Sequence, residues 1–340
     1  MSPSSSAPPP GAQPGPIGRA GDEQTPRAAL LASEARRIGL PAEACRALGP
    51  VPAWRPRRHL QWGHHTLALG ERTLVMGVVN VTDLSLSGPG HGDDVMAAVA
   101  HAEALVAAGA NLLDVGGEST RPGAEPVPEA LERARVGAAV AAIAARLPTV
   151  PLSVDTRRAS VAAAALDAGA GAINDVSGLR HDPELATLAA RRGAALILGH
   201  WEPARSWPAA SRPEAEAAAV AAVQAGLRWS VERALTAGCP PDQLAVDPGL
   251  GFGKPPRVSL ALLRALPSLQ ALGRPVVVGP SRKGFIGRVL GPAAQLGWEG
   301  TAAAVALAIA GGADIVRVHD VARLTRVVRM SDAIVAAVDA

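Results

Sequence analysis

The sequence is poor in lysine and in aromatic residues. Only Lys254 and Lys283 among its 33 basic residues are lysine, tyrosine is absent, and phenylalanine occurs only as Phe252 and Phe285. Nucleic-acid-binding proteins usually carry aromatic platforms and clustered basic residues, whereas the arginines here are scattered among acidic residues. We therefore expect no nucleic-acid partner, although the formal net charge is +3.

Cysteines and long apolar runs are also scarce. Cys45 and Cys239 are too far apart for a metal-binding motif and too few for a disulfide framework, which favours a reducing, cytoplasmic location. The first residues lack the charged and apolar segments of a secretory signal. Charged residues or glycine interrupt every apolar run before ~18 residues, so we expect no membrane partner.

Three regions follow one another along the chain. Residues 1–25 are rich in proline, serine, glycine and alanine, a composition that predicts a disordered tail. Residues 26–66 form an N-terminal extension of unknown packing, with helical spacing over 27–48 and a predicted hairpin around Gly63. Residues 67–340 form the main domain.

From Leu74 onward, eight short apolar runs alternate with alanine-rich helical segments. The predicted strands cover 74–79, 112–115, 151–154, 172–173, 194–198, 244–246, 275–278 and 315–318. The predicted helices cover 94–108, 128–146, 158–168, 183–192, 212–237, 258–271, 282–310 with a break, and 320–337. The length of this region and its eight alternating strands and helices predict a (β/α)8 TIM barrel. A doubly wound open sheet is disfavoured because no Gly-x-Gly-x-x-Gly follows the first strand.

Polar residues follow the predicted strands, where a barrel carries its chemistry. Asp155, Asn174 and Asp247 would offer acceptors and one amide to a ligand rich in N–H donors, such as a guanidine-like heterocycle edge. Lys283 would add a compact positive charge for a carbonyl or ring nitrogen of the same ligand. Asp155 could instead be a helix N-cap, and so could Asp320.

Two residues of the last predicted strand indicate an anion site. Arg317 and His319 are two residues apart, so they face the same side of the strand, and they precede a helix whose N-terminus favours a phosphate group. The isolated His200 is more typical of a structural histidine. Lys254 and Phe252 are expected to support or pack the glycine-rich loop that contains them.

Several motifs together resemble those of the dihydropteroate synthases, in order and spacing, from about Leu67 to the C-terminus. The matching segments are 76–82 (MGVVNVT), 114–123 (DVGGESTRPG), 153–156 (SVDT), 173–175 (IND), 247–254 (DPGLGFGK), 281–283 (SRK), 300–301 (GT) and 317–320 (RVHD). The resemblance implies a transferase of folate biosynthesis. Such an enzyme condenses 6-hydroxymethyl-dihydropterin pyrophosphate with p-aminobenzoate, using Mg²⁺, and commonly forms a homodimer.

The resemblance also implies roles for individual residues. The pterin would be bound by Asp155, Asn174, Asp247 and Lys283. The metal ion would be reached by Asn80. The pyrophosphate would be bound by Arg317 and His319, which with Lys283 form the expected catalytic set. The mobile loop beside the p-aminobenzoate site would contain Thr120, Arg121 and Pro122.

The chain departs from the family pattern in the first loop, at Gly284 and at 199–202 (GHWE), and all three departures concern the second substrate or the loop that closes over the site. Leu84 and Gly88 stand where the family has aspartates in its first loop, and Gly284 replaces a serine near the p-aminobenzoate carboxylate. Two alternatives therefore accompany the synthase hypothesis. One is a pterin-binding paralogue that has lost or changed the condensation, and the other is a pterin-dependent methyltransferase.

Overall fold

The computed structural model describes residues 55–81, 95–118, 125–202, 207 and 213–336. The predicted tail, the helical segment 27–48 and the loop residues Thr120, Arg121 and Pro122 lie outside the described residues. So do Leu84 and Gly88. The described chain begins with the predicted hairpin, in which β1 (Arg58–Trp62) pairs antiparallel with β2 (His65–Leu69).

Eight parallel strands form the centre of the fold. They are β3 (Leu74–Asn80), β4 (Leu112–Gly116), β5 (Leu152–Asp155), β6 (Ala172–Asp175), β7 (Ala195–Leu198), β8 (Leu244–Val246), β9 (Val277–Val278) and β10 (Ile315–Val318). Their spatial order is β8-β7-β6-β5-β4-β3-β10-β9. A parallel bridge between Val246 and Val276 joins the two ends of this order. The predicted (β/α)8 barrel is therefore confirmed.

Helices surround the strands close to their predicted positions. They are α1 (Val95–Ala107), α2 (Glu129–Arg146), α3 (Ala159–Asp167), α4 (Glu184–Arg192), α5 (Pro213–Thr236), α6 (Pro256–Arg264), α7 (Gly284–Leu290), α8 (Trp298–Ala310) and α9 (Val321–Ala336). The predicted helix 258–271 ends early and continues as a 3₁₀ helix (Leu266–Leu272), because Pro267 cannot donate a backbone hydrogen bond. None of the described helices combines the length and apolar character required to cross a bilayer.

The strands are buried on both faces, which explains their nearly continuous apolar sequences. Val75 and Val79 of β3 belong to the large cluster shared with the helices. Leu74 and Met76 of the same strand belong to a second cluster inside the barrel. This alternation follows from the two-residue period of a strand.

The hairpin closes the N-terminal end of the barrel. Leu60 and Trp62 of β1 are fully buried, and they share the inner apolar cluster with Met76 and Ile197. The Trp62 indole N–H donates to the backbone carbonyl of Leu152 over 2.9 Å. Apolar packing thus fills this end and leaves the C-terminal ends of the strands for polar residues.

Candidate active site

Arg317 of β10 belongs to a cluster of polar side chains that come from three other strands. Its Nε donates to Oδ2 of Asp114 on β4, and its Nη2 donates to Oδ2 of Asp155 on β5, each over 2.6 Å. Asn174 of β6 donates to the same Asp114 oxygen over 2.9 Å. The structure therefore brings together Asp155, Asn174 and Arg317, which the sequence had suggested for two different parts of a ligand.

Asp114 is the member of this cluster that sequence reasoning did not assign to the ligand. Its side chain is fully buried, and Ser153 donates to its Oδ1 over 2.5 Å. A buried carboxylate requires a positive partner and hydrogen bonds, and Arg317, Asn174 and Ser153 supply them. The signal in the sequence was one aspartate inside an otherwise apolar strand.

Asp155 is not the cap of the helix that follows it. Helix α3 begins at Ala159, whose N–H donates to Oδ2 of Asp182 over 2.8 Å. Asp320, the other aspartate for which capping was considered, does accept a hydrogen bond from the N–H of Arg323 near the start of α9, over 3.2 Å. Asp155 instead faces Arg317 at the mouth of the barrel.

The charges in this cluster shift one another's ionisation. Burial raises the pKa of Asp155 to about 7, with Asp114 adding to this effect and Arg317 opposing it. Burial alone would lower the pKa of Arg317, but the carboxylates of Asp114 and Asp155 raise it above its ordinary value. Arg317 therefore stays charged, whereas Asp155 can gain or lose a proton near neutral pH.

Asp247 and Lys283 also lie at the mouth of the barrel. Asp247 follows β8 and its Oδ1 accepts the N–H of Gly249 over 2.6 Å, while burial raises its pKa. Lys283 immediately precedes α7, and its Nζ lies 3.5 Å from the ring centroid of Phe252. The Lys283 side chain keeps some contact with solvent, but its dense surroundings desolvate the ammonium group and lower its pKa to about 8.

These residues line a single cleft. Its walls include Asp155, Asn174, Asp247, Phe252, Lys283 and Arg317. Carboxylates and an amide thus face an ammonium group and an aromatic ring across a narrow space. A flat heterocycle fits this chemistry, with an N–H edge toward the carboxylates and an acceptor toward Lys283. Phe252 had been expected only to pack its loop, and its place in this cleft could not be inferred from the sequence.

His319 and Asn80 lie at the same end of the barrel. Nδ1 of His319 is 3.0 Å from Oγ of the buried Ser281, which also accepts the His319 backbone N–H over 3.3 Å. Asn80 ends β3, in register with Gly116 of β4, and is partly exposed. Among the described residues, no group of three or more histidine, cysteine, aspartate or glutamate side chains could hold a metal ion.

His200 has a structural environment. Its side chain is fully buried, neither ring nitrogen has a hydrogen-bond partner among the described residues, and burial lowers its pKa to about 3. The ring packs against Gly226 of α5, where an added Cβ would approach Cδ2 and Nε2 at 2.6 Å. These contacts support the interpretation of His200 as a neutral packing residue.

The chain is similar to known proteins in sequence and in fold. The family described as pterin binding enzyme matches residues 76–319. The chain is 43% identical over 267 residues to the dihydropteroate synthase of Bacillus subtilis, covering 78% of this chain and 90% of that protein. It is 48% identical over 257 residues to the dihydropteroate synthase of Mycobacterium leprae, covering 73% and 88% respectively. The solved structure of Xanthomonas albilineans dihydropteroate synthase with 4-aminobenzoic acid is 39% identical, with a TM-score of 0.74, covering 84% of this chain and 100% of that one.

Proposed function

Because this chain belongs to the dihydropteroate synthase family, we propose that it condenses 6-hydroxymethyl-dihydropterin pyrophosphate with p-aminobenzoate. The products are dihydropteroate and pyrophosphate. The observation that carries the proposal is the cleft in which Asp155, Asn174 and Asp247 face Lys283. The chain is thus a transferase of folate biosynthesis.

The cleft complements a pterin ring. The amino group and ring N–H groups of the pterin would donate to the carboxylates of Asp155 and Asp247, while Asn174 supplies an amide. The Lys283 ammonium would donate to the pterin carbonyl or a ring nitrogen. The Phe252 ring, which lies against Lys283, would bound the space next to the heterocycle.

The reaction replaces one bond at the methylene carbon of the pterin substrate. The bond from this carbon to the pyrophosphate oxygen breaks, the aniline nitrogen of p-aminobenzoate forms the new C–N bond, and that nitrogen then loses a proton. Negative charge grows on the leaving pyrophosphate, where Arg317 and His319 would stabilise it. The two bonds from Arg317 to carboxylates use two of its five N–H donors, so the same guanidinium can also bind phosphate oxygens.

The donor set at Asn80 is compatible with Mg²⁺. This ion usually retains several waters and binds substrate phosphates, so the protein need not supply a complete set of ligands. Asn80 would supply an amide oxygen from the end of β3. When bound, Mg²⁺ would neutralise charge on the pyrophosphate.

Pyrophosphate release by the purified protein tests the proposed function. With dihydropterin pyrophosphate, p-aminobenzoate and Mg²⁺, we expect stoichiometric formation of pyrophosphate and dihydropteroate, and no dihydropteroate when p-aminobenzoate is omitted. Binding of the pterin substrate without condensation would contradict the proposal and favour the pterin-binding paralogue. The methyltransferase alternative has less support, because a methyl donor would leave the Arg317 and His319 site without a pyrophosphate.

We also propose that the protein forms a homodimer through α7 and α8. These helices expose apolar side chains at Val289, Leu290 and Leu307, each more than half exposed. Burying such a patch against a second copy would remove apolar surface from water. Analytical ultracentrifugation should show a dimer, and Leu307→Glu should shift it toward the monomer.

A further inference from the structure

Lys254 has a role that the proposed chemistry leaves unexplained. The side chain is only 6% exposed, and its Nζ donates to the backbone carbonyls of His200, Gly249 and Phe252 over 2.5, 3.0 and 3.3 Å. An ammonium group has three N–H donors, so three carbonyls satisfy it completely. These carbonyls come from two separate segments, the end of β7 and the loop after β8, which Lys254 therefore ties together.

The loop after β8 approaches the β7 segment too closely for ordinary side chains. Gly249 and Gly253 have φ angles of +66° and +63°, in the left-handed region that favours glycine. A Cβ at Gly249 would overlap the carbonyl of His200, and one at Gly253 would overlap that of Glu202. The glycines thus let the loop after β8 pack directly against the backbone of the segment after β7. The Lys254 ammonium lies between carbonyls of these two segments.

This loop carries groups that form the cleft. The N–H of Gly249 holds the Asp247 carboxylate over 2.6 Å. Phe252 places its ring 3.5 Å from the Nζ of Lys283. Two of the three carbonyls that bind Lys254 belong to Gly249 and Phe252, so a shift of the ammonium would move the residues that orient the carboxylate and the ring.

We propose that Lys254 is a positioning residue for the transfer reaction: it holds the glycine-rich loop so that Phe252 and Asp247 keep their places around the cleft. The effect on turnover rests on the proposed function, whereas the effect on the loop does not. Lys254 touches no substrate in this account and acts through the loop backbone.

The cost of burying the Lys254 ammonium group indicates that its charge has a specific role. Burial lowers the pKa of Lys254 to about 7, opposed by the nearby carboxylates of Asp247 and Glu202. The three carbonyls around Nζ are the partners that a protonated amine requires. A position that needed only volume would be filled with an apolar side chain at lower cost. Arginine, which supplies nearly all other positive charges in this chain, has a planar guanidinium whose donors would not converge on three close carbonyls.

Lys254→Met tests the proposal because it keeps an unbranched side chain only one atom shorter and removes the ammonium group. Hydrogen exchange by mass spectrometry should show amides of residues 247–253 exchanging at least tenfold faster than in the wild type. Synthase kcat/KM should fall about tenfold or more. Phe252→Ala should also lower kcat/KM. In the double variant, kcat/KM should lie no more than about twofold below that of the less active single variant, because both substitutions act through the same loop.

Asp332→Asn is the matched control for a general loss of stability. Asp332 accepts hydrogen bonds from Arg55 and Thr73, at the end of the barrel away from the mouth. This variant should lower the unfolding temperature and leave loop exchange and kcat/KM unchanged. Unchanged loop exchange in Lys254→Met, or fully multiplicative losses in the double variant, would overturn the proposal. Absence of turnover in the wild type would overturn the proposed function alone, because loop exchange would still report on Lys254.

Discussion

Inside the barrel, the N-terminal and C-terminal ends of the same eight strands carry opposite kinds of side chain. At the N-terminal end, Leu60 and Trp62 of the hairpin pack with Met76 and Ile197 in a wholly apolar cluster. At the C-terminal end, Arg317 connects buried carboxylates across several strands. Buried charges are costly even when paired, so the polar end gains little stability from them, whereas the apolar end gains it directly.

The residues that stabilise the fold and the residues proposed to act in the reaction therefore lie at different ends of the barrel. Side chains of the hairpin end contribute to folding and do not reach the cleft. Side chains of the mouth line the cleft, and burial brings the pKa values of Asp155 and Lys283 close to neutrality. Variants at the two ends should therefore affect different measurements.

The largest expected effect is on stability, from Trp62→Ala. Trp62 is fully buried and its indole N–H donates to the carbonyl of Leu152, so its removal leaves a large cavity and costs that carbonyl one of its two hydrogen bonds, the other coming from the N–H of Gly171. We expect the free energy of unfolding to fall by about 3–5 kcal/mol. Chemical denaturation measures this change, and kcat/KM of the folded fraction should remain within twofold of the wild type.

Trp229→Ala provides the matched control. Trp229 is 40% exposed, and the guanidinium groups of Arg180 and Arg233 lie 4.8 and 5.1 Å from the centroid of its ring. Its removal should cost about 1 kcal/mol, because exposed cation–π contacts are weak. Equal losses for both tryptophans would contradict the assignment of stability to the hairpin end.

The mouth should show a pH dependence that the hairpin end does not share. Asp155 offers pterin N–H groups two charged acceptor oxygens only as a carboxylate, which requires a pH above its pKa of about 7. Lys283 carries its charge only below its pKa of about 8. Pterin affinity, measured by titration calorimetry and corrected for ionisation of the pterin itself, should be highest between about pH 7 and 8 and fall on both sides.

The variant Lys283→Met tests whether Lys283 causes the decrease in pterin affinity at alkaline pH. Lys283→Met should bind the pterin more weakly at neutral pH and lose the decrease above pH 8. An unchanged alkaline decrease in that variant would show that another group titrates.

The smallest expected effect is a gain from Gly284→Ser. An added Cβ at Gly284 meets no atom within 4 Å, so the serine common in this family fits without strain. Its hydroxyl could bind the carboxylate of p-aminobenzoate, which would lower KM for that substrate by about two- to tenfold, the effect of one hydrogen bond. Gly284→Ala is the control, since it adds the carbon without the hydroxyl. Equal KM values for both variants would contradict this role.

Much of the fold followed from the sequence because barrel strands and helices differ in period and composition. All eight strand positions were confirmed, and the helix ends agreed within a few residues except where Pro267 ends α6 early. Asp155, Asn174, Asp247 and Lys283 could be chosen as candidates because each follows or ends an apolar run, and all four line the cleft. The contacts of Asp114, Phe252 and Lys254 could not be predicted, since they depend on loop backbone and on strands distant in sequence.

The central claim is that the polar mouth binds the pterin through its carboxylates, and Asp247→Asn tests it most directly. The amide can still accept the Gly249 N–H, but it no longer offers a charged acceptor to the ligand. Titration calorimetry with dihydropterin pyrophosphate at pH 7.5 should show binding at one site in the wild type. The variant should bind about 100-fold more weakly, or ~2.7 kcal/mol. An affinity within twofold of the wild type, in a variant with normal unfolding, would contradict the account.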